Sequence, residues 1–292
     1  MAEKIIQLQQ VDVFTKEVNQ GNPAGVLLVE NELTEDEMQL IAKKVGFNET
    51  VFILPSQLAD YRLRYFTPGH ETPLCGHATL GAVHYLSELG KVEQQLTIET
   101  GVGVLKITID ENQQIVMEQD TLKQVAFKQS KAALCTVLGI ETTDLEETLP
   151  IEYGNTGSWT LLVPVKSKAV LAKMQPLTAE FPDVLKEMPR SSIHPFAIID
   201  KEKQEFVARH FSSPFSGTIE DSVTGTASGV MGAYFQQYLY PNEKSLTVTI
   251  YQGEFIGKAG EVKVFIAEKN GEQLVKIAGT AVMNPQELKI SY

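Results

Sequence analysis

Residues 66–82 read Phe66-Thr67-Pro68-Gly69-His70-Glu71-Thr72-Pro73-Leu74-Cys75-Gly76-His77-Ala78-Thr79-Leu80-Gly81-Ala82. A second stretch with the same design runs Phe211-Ser212-Ser213-Pro214 and then Glu220-Asp221-Ser222-Val223-Thr224-Gly225-Thr226-Ala227-Ser228. Gly76 and Gly225 lie 149 positions apart, as do Ala78 and Ala227. In both copies a turn with proline leads to an acidic residue, a glycine and an apolar segment of helical character. The repeat predicts a duplicated fold in which each half begins its main helix at the glycine.

A helix that begins in this way attracts an anion, because its first backbone N–H groups lack intrahelical partners and the helix dipole is positive there. Two such helix starts facing one cleft predict a binding site for a small molecule that carries a carboxylate.

Length, net charge and cysteine content exclude several classes of protein. A chain of 292 residues suggests two domains of about 120 to 150 residues each. The formal charge of −12 argues against nucleic acid and anionic membranes as partners, because both need a basic surface. No signal peptide and no apolar run of about 18 residues is visible, so we expect a cytoplasmic protein with no membrane partner. Two cysteines are too few for a disulfide framework.

The apolar periodicity predicts the main elements. Thr34 and Glu37 form a capping box for a helix over residues 35–45 that ends at Gly46. Nearly uncharged segments at 77–88 and 226–238 predict two helices buried within sheets. Residues 119–134 are polar and lack a clear period, which is typical of a crossover between domains.

Three residues are candidates for catalysis. Glu49 opens an apolar strand, where partial desolvation would suit a proton shuttle, although such a residue is more often simply solvated. His77 lies at the first helix start and could donate to a substrate, or could only cap or pack. Asp221 approaches the second helix start, a position that most often holds an N-cap.

The thiols and remaining histidines give weaker signals. Cys75 precedes the first helix start, where the pKa of a thiol would be lowered. A racemase with two thiols would need a second cysteine near residues 222–226, and none is there. Cys135 is interpreted as core packing. His70, His84, His194 and His210 show no metal-ligand spacing, so no metal site is expected.

Six short motifs occur in an order that resembles a known family. They are Val11-Asp12-Val13-Phe14-Thr15, Gly21-Asn22-Pro23-Ala24-Gly25-Val26, Asn48-Glu49-Thr50-Val51-Phe52, Tyr65-Phe66-Thr67-Pro68 with Glu71, Cys75-Gly76-His77-Ala78-Thr79 and Glu220-Asp221-Ser222-Val223-Thr224-Gly225. In this order they are similar to the PhzF-like (phenazine biosynthesis-type) isomerases, and most of all to the uncharacterised isomerases of that family. The likeness runs from near residue 11 to Gly279-Thr280-Ala281-Val282.

The resemblance implies an α+β fold of the diaminopimelate epimerase type. Two pseudo-symmetric domains would each form a curved, mostly antiparallel sheet around a central helix, with the active site in the cleft between them. On this basis residues 1–118 with 280–292 would form the N-terminal domain, and residues 119–279 the C-terminal domain.

The resemblance also implies the roles of individual residues. Glu49 would remove a proton from carbon and return it elsewhere, while His77 and Asp221 bind and polarise the substrate. The backbone around Gly76 and Gly225 would hold a carboxylate or a developing oxyanion, so Gly76, Cys75, Gly225 and Thr226 are the predicted substrate-binding residues. The family uses no metal or organic cofactor and tends to form homodimers.

Two positions depart from the family pattern. Ser222 stands where proline is common, and Cys75 stands where many members have alanine. The leading hypothesis is an isomerase without a cofactor that moves a proton on a small carboxylic acid. The alternatives are an amino-acid epimerase that uses Glu49 and Cys75 as opposed bases, and a module that binds a small molecule without turnover.

Overall fold

The computed structural model describes residues 4–269 and 271–292, which divide into two compact units. The first unit extends to Glu118 and also includes Ala278–Tyr292, while the second is Gln119–Ile277. No helix among the described residues is long and apolar enough to cross a lipid bilayer.

Strands and helices are numbered in chain order. The strands are β1 Ile5–Val13, β2 Asn22–Leu28, β3 Glu49–Leu54, β4 Tyr61–Phe66, β5 Glu71–Thr72, β6 Gln95–Thr100, β7 Gly103–Ile109, β8 Ile115–Glu118, β9 Lys123–Ala126, β10 Glu152–Asn155, β11 Trp159–Pro164, β12 Ser192–Asp200, β13 Glu205–Ala208, β14 His210–Phe211, β15 Glu220–Asp221, β16 Ser245–Gln252, β17 Gly260–Lys269, β18 Glu272–Gly279 and β19 Ala281–Ser291. The α-helices are α1 Glu35–Val45, α2 Gly76–Glu88, α3 Lys131–Leu138, α4 Lys168–Lys173, α5 Phe181–Val184 and α6 Gly225–Tyr238. Short 3-10 turns lie at Thr142–Asp144, Thr178–Glu180 and Glu254–Ile256.

The first unit is a mostly antiparallel sheet packed on α2. β1 pairs antiparallel with both β2 and β19, and β6 with β7. β2 runs parallel to β3, and β4 runs parallel to β6. The helix packs against β1, β2, β3, β8 and β19 and buries most of its side chains, including Leu80, Val83 and Leu86. Because α2 carries so few charges, it can be surrounded by strands without burying an unpaired ion.

Helix α1 has the ends that its sequence predicts. The Thr34 hydroxyl accepts from the Glu37 backbone N–H, and the Glu37 carboxylate accepts from the Thr34 N–H. The helix stops at Gly46, whose backbone is left-handed at φ 74°. This stop brings the chain to β3 within three residues.

The second unit repeats the arrangement around α6. β9, β10 and β11 are antiparallel neighbours, while β11–β12 and β13–β16 are parallel pairs. The helix packs against β10, β16 and β17, and a Cβ atom added at Gly232 would lie 2.5 Å from Val264 Cγ1. Glycine at this position therefore permits the close approach of α6 to β17.

Residues 119–134 are more ordered than their composition suggests. They contain β9 and the first turn of α3, which is capped by the Ser130 hydroxyl. β9 is short and mostly exposed, so it lacks the apolar alternation from which a strand is recognised. The boundary between the two units, after Glu118, falls just before this stretch, where the polar composition indicated a crossover.

Each unit also contains the same ion pair just before its main helix. Arg64 donates from Nε and Nη2 to the two Glu71 oxygens at 2.7 and 2.5 Å, and its guanidinium lies 5.1 Å from the centre of the Phe66 ring. Arg209 makes the same two bonds to Glu220 at 2.9 and 2.6 Å. It lies 4.6 Å from the centre of the Phe211 ring. We call each of these pairs an arginine clamp.

The two clamps differ in burial. The side chains of Arg209 and Glu220 are 9% and 8% exposed, and Arg209 also donates to two backbone carbonyls of the α4 region. The side chains of Arg64 and Glu71 are 17% and 34% exposed. Removing one partner of a buried pair leaves an uncompensated charge, whereas a solvated pair contributes little.

The substitutions Arg209→Met and Arg64→Met test this difference. We expect Arg209→Met to lower the free energy of unfolding by about 3–5 kcal/mol, because Glu220 is left charged and buried. Arg64→Met should lower it by about 1 kcal/mol. Urea unfolding of the two variants measures both values, and equal losses would contradict this account.

Candidate active site

Glu49 is placed by the end of α1 and the start of β3. It is the first residue of β3, where its register partner is Ala24 on the parallel strand β2. The following residues, Thr50 to Ile53, are fully buried, while the Glu49 side chain is 20% exposed. The carboxylate therefore lies at the edge of the core and can be reached from solvent.

The first helix start is built around Cys75 and Gly76. Cys75 is the N-cap residue of α2, and its side chain makes no capping hydrogen bond. Its carbonyl accepts from the Thr79 hydroxyl at 2.7 Å, and the Tyr65 hydroxyl lies 2.7 Å from the same Thr79 oxygen. These contacts fix the turn while the N-terminal end of the helix dipole is left without a side-chain cap.

His77 connects the candidate groups of the first unit. Its Nε2 atom lies 3.4 Å from Glu49 Oε2, and its Nδ1 atom lies 3.4 Å from Cys75 Sγ. The Asn22 amide lies 3.5 Å from the same Nδ1 atom. The ring is only 8% exposed. The structure thus brings Glu49, Cys75 and His77 together as one cluster at the start of α2.

The second helix start holds Asp221 in a similar network. The Thr224 hydroxyl donates to Asp221 Oδ2 at 2.5 Å, and Thr224 is the N-cap of α6 without a side-chain capping bond. The buried Gln252 side chain donates to the Asp221 carbonyl at 2.9 Å and accepts from the Thr224 N–H at 3.2 Å. The Asp221 carboxylate is therefore oriented by the Thr224 hydroxyl, and the N-cap residue of α6 is Thr224.

Thr226 occupies the position that corresponds to His77. The Ser158 hydroxyl lies 3.2 Å from the Thr226 hydroxyl, and Thr156 donates to the Thr226 carbonyl at 3.0 Å. Thr156 and Ser158 belong to the turn between β10 and β11, just as Asn22 follows the turn before β2. In each unit a turn thus contacts the second residue of the main helix.

Two buried histidines lie behind Asp221. His210 is the register partner of Asp221 across β14 and β15, and its Nδ1 atom lies 3.1 Å from Nδ1 of His194. One ring must donate and the other accept, so at least the accepting ring is neutral when the pair holds this bond. Burial lowers the pKa of His210 to about 4, although the Asp221 charge acts in the opposite direction. Burial likewise lowers the pKa of His194 well below its usual value, and His210 adds to that effect.

Comparison with known proteins shows the family of this chain. The profile of the family described as phenazine biosynthesis-like protein, PhzC-PhzF, matches residues 11–286. The chain belongs to this family. An uncharacterised isomerase of Bacillus subtilis is 45% identical over 285 residues, which cover 96% of this chain and 97% of the relative.

Two further relatives of this PhzF-family chain support the same placement. An uncharacterised isomerase of Escherichia coli is 33% identical over 287 residues, covering 95% and 96% of the two chains. The crystal structure of a PhzF-family phenazine biosynthesis protein of Bacillus anthracis superposes with a TM-score of 0.94 at 46% identity, covering 98% and 99% of the chains. The predictions of family, α+β fold and isomerase class are confirmed.

Sequence reasoning found the candidate acids and bases of this PhzF-family chain but missed several of their partners. Asn22, Ser158 and Gln252 were not predicted as site residues. Asn22 and Ser158 lie in or beside two Gly-Asn turns, Gly21-Asn22 and Gly154-Asn155, each of which leads into an apolar strand. This correspondence between the two halves could have indicated both residues. Gln252 lies 28 residues beyond Thr224 on an alternating strand, and no local pattern marks it.

The histidine pair predicts a specific dependence of stability on pH. An unfolded imidazole titrates near pH 6.5, whereas His210 in the folded protein stays neutral down to about pH 4. Between these values the unfolded state binds more protons, so the free energy of unfolding falls as the pH falls. The slope is about 1.4 kcal/mol per pH unit for each imidazole.

Denaturant unfolding of the double variant His194→Gln/His210→Gln between pH 7 and pH 4.5 measures this component. We expect the double variant to have a flatter profile than the native chain. A native slope in the double variant would show that other groups cause the effect.

Proposed function

We propose that the protein is an isomerase that uses no cofactor and moves a proton on a small carboxylic acid, with Glu49 as the acid/base. The observation that carries the proposal is the contact of the Glu49 carboxylate with His77 at a helix start that has no side-chain cap. A proton acceptor and an anion-binding group are thus provided side by side in the first unit.

The proposed chemistry follows from these two groups. The backbone at Gly76 and the dipole of α2 stabilise the substrate carboxylate and the negative charge that develops when a neighbouring C–H bond breaks. Glu49 takes the proton from carbon and then, as the carboxylic acid, returns it to another carbon of the same molecule. His77 lies 3.4 Å from Glu49 and donates to the substrate or orients the carboxylate.

Asp221, Gly225 and Thr226 are proposed to bind polar groups of the substrate. Support comes from the Asp221 carboxylate, which accepts from the Thr224 hydroxyl, while Gln252 donates to the Asp221 backbone carbonyl. The Thr226 hydroxyl is held near Ser158 at 3.2 Å, where it can donate to a ligand oxygen. We also propose that the protein works as a homodimer in the cytoplasm, and sedimentation of the purified chain tests its oligomeric state.

The distance between Glu49 and Cys75 disfavours the epimerase alternative. A carboxylate oxygen of Glu49, the Cys75 sulfur and a His77 nitrogen all lie within 4.8 Å of one another. Two bases that act on opposite faces of one carbon each need about 3–3.5 Å to it, hence about 6–7 Å between them. The carboxylate and the thiol are too close for that task, and the His77 ring contacts both.

Proton exchange in deuterated water tests the proposal directly. The panel contains dihydro-hydroxyanthranilate, diaminopimelate, and other amino and cyclic carboxylic acids, each followed by mass spectrometry for deuterium and by NMR for product. We expect Glu49→Gln to lower the rate of exchange by about 10²–10⁴-fold, because the base is removed while the shape is kept.

Two comparisons make this test decisive. Cys75→Ala should lower the rate less than Glu49→Gln, and the reverse order would favour the epimerase with a thiol base. A ligand that binds native and Glu49→Gln protein equally and is turned over by neither would favour the non-catalytic module.

Asp221→Asn tests the assignment to the second helix start. A hydrogen bond to a charged group contributes about 1.5–3 kcal/mol, so kcat/KM should fall by about tenfold to a hundredfold. The urea midpoint should change little, since the amide can still accept from Thr224. Unchanged kinetics would remove Asp221 from the proposed substrate-binding residues.

A further inference from the structure

We propose that Glu49, Cys75 and His77 form a binding site for one thiophilic divalent cation of the zinc class, and that the bound ion inhibits the isomerase. The inhibition rests on the proposed function, because it requires Glu49 to be the base. The binding rests only on the positions and chemistry of the three side chains.

The ligand atoms are close to the spacing that a bound ion requires. The sulfur, one ring nitrogen and one carboxylate oxygen lie within 4.8 Å of one another. With bonds of about 2.3 Å to sulfur and about 2.1 Å to nitrogen and oxygen, tetrahedral zinc separates its ligands by roughly 3.4–3.6 Å.

Two of the pairs already have this separation. Cys75 Sγ lies 3.4 Å from His77 Nδ1, and Glu49 Oε2 lies 3.4 Å from His77 Nε2. Around an ion one ring nitrogen must serve both partners, so either the thiol or the carboxylate has to move closer to that nitrogen. Cys75 is partly exposed and the Glu49 side chain is 20% exposed, so both lie at the edge of the core.

The charge of the site also suits a divalent cation. A thiolate and a carboxylate together supply two negative charges, which neutralise the ion, while neutral imidazole adds a third ligand. The dipole of α2 opposes a cation with about half a positive charge, but the same dipole stabilises the Cys75 thiolate. Three protein ligands leave a fourth position for water, so the ion can enter from solvent and leave again.

An ion held in this way would stop the proposed reaction. The Glu49 oxygen that should accept a proton from carbon would be bonded to the metal instead. Binding also replaces the proton of the thiol by the metal ion, so the sulfur is coordinated as the thiolate.

Cys135 provides a matched control for the thiol. It is the other free cysteine, buried on α3 in the core of the second unit. Burial raises the pKa of Cys135 to about 11, so it is protonated near neutral pH. A metal signal that depends on a thiolate should therefore come from Cys75.

The experiment begins with chelator-treated full-length protein titrated with Co²⁺. We expect one ion per chain and a near-ultraviolet thiolate-to-cobalt charge-transfer band, which Zn²⁺ abolishes by displacing the cobalt. The band should vanish in Cys75→Ala and persist in Cys135→Ala. Glu49→Gln and His77→Asn should weaken the affinity by on the order of tenfold or more. No band in the native protein, or a band that survives in Cys75→Ala, would overturn the proposed site.

Inhibition is measured separately, by deuterium exchange with and without Zn²⁺. We expect Zn²⁺ to inhibit the native protein and Cys135→Ala, chelator to restore the rate, and Cys75→Ala to lose most of its sensitivity relative to its own uninhibited rate. A cobalt band in a protein without any exchange activity would support the metal site and count against the proposed function. Deuterium exchange that depends on Glu49, in a protein without the cobalt band, would support the proposed function and count against the metal site.

Discussion

The feature on which the rest of the structure depends is a main helix in each unit that begins without a side-chain cap. Cys75 and Thr224 are the N-caps of α2 and α6, and neither side chain accepts a hydrogen bond from the first turn. Capping is normally worth about 1 kcal/mol, so its omission twice at corresponding positions is costly to stability. A missing cap is expected where an anion binds the helix start, because the bound anion then accepts hydrogen bonds from the backbone N–H groups of the first turn. The hydrogen bonds of Thr79 and Ser228 to the preceding carbonyls hold both turns in shape meanwhile.

Duplication explains why two helix starts with different side chains share one framework. The arginine clamp precedes both helices, with the same two hydrogen bonds and the same contact with a phenylalanine ring. The residues that face the helix starts have diverged: Asp221 stands where the first unit has Thr72, and Thr226 where it has His77. The second clamp is also the more buried, and it adjoins Asp221 through Glu220. The buried Arg209–Glu220 pair is thus adjacent in the chain to Asp221, whose carboxylate accepts a hydrogen bond from the Thr224 hydroxyl.

The positions of the main helices could be predicted from the sequence, because the signals that begin and end a helix lie within a few residues. The capping box at Thr34 and the glycines at Gly76 and Gly225 act over a few residues, so motif spacing located α1, α2 and α6 within a residue or two of their observed starts. The contacts that orient the candidate groups are not local. Gln252 reaches Asp221 from a strand 31 residues later, and His194 reaches His210 across 16. Such pairings depend on strand order, which hydrophobic periodicity does not specify. β9 was missed because an exposed edge strand buries too little to leave a pattern.

The spacing within the Glu49 cluster bears on both the proposed reaction and its proposed inhibition. If Glu49 is the only base, it must release the proton that it has just accepted. A neighbouring group within hydrogen-bonding reach can assist both steps. The imidazole at 3.4 Å provides that neighbour. The Cys75 sulfur lies 3.4 Å from the other ring nitrogen of His77, Nδ1, and adds a potential metal ligand beside Glu49. Alanine at this position would offer only a methyl group. The proximity on which the proposed proton transfer by Glu49 depends thus also places three potential ligands of a thiophilic cation within 4.8 Å of one another. A PhzF-family chain with cysteine at this position would gain sensitivity to metals without any change in its acid/base chemistry.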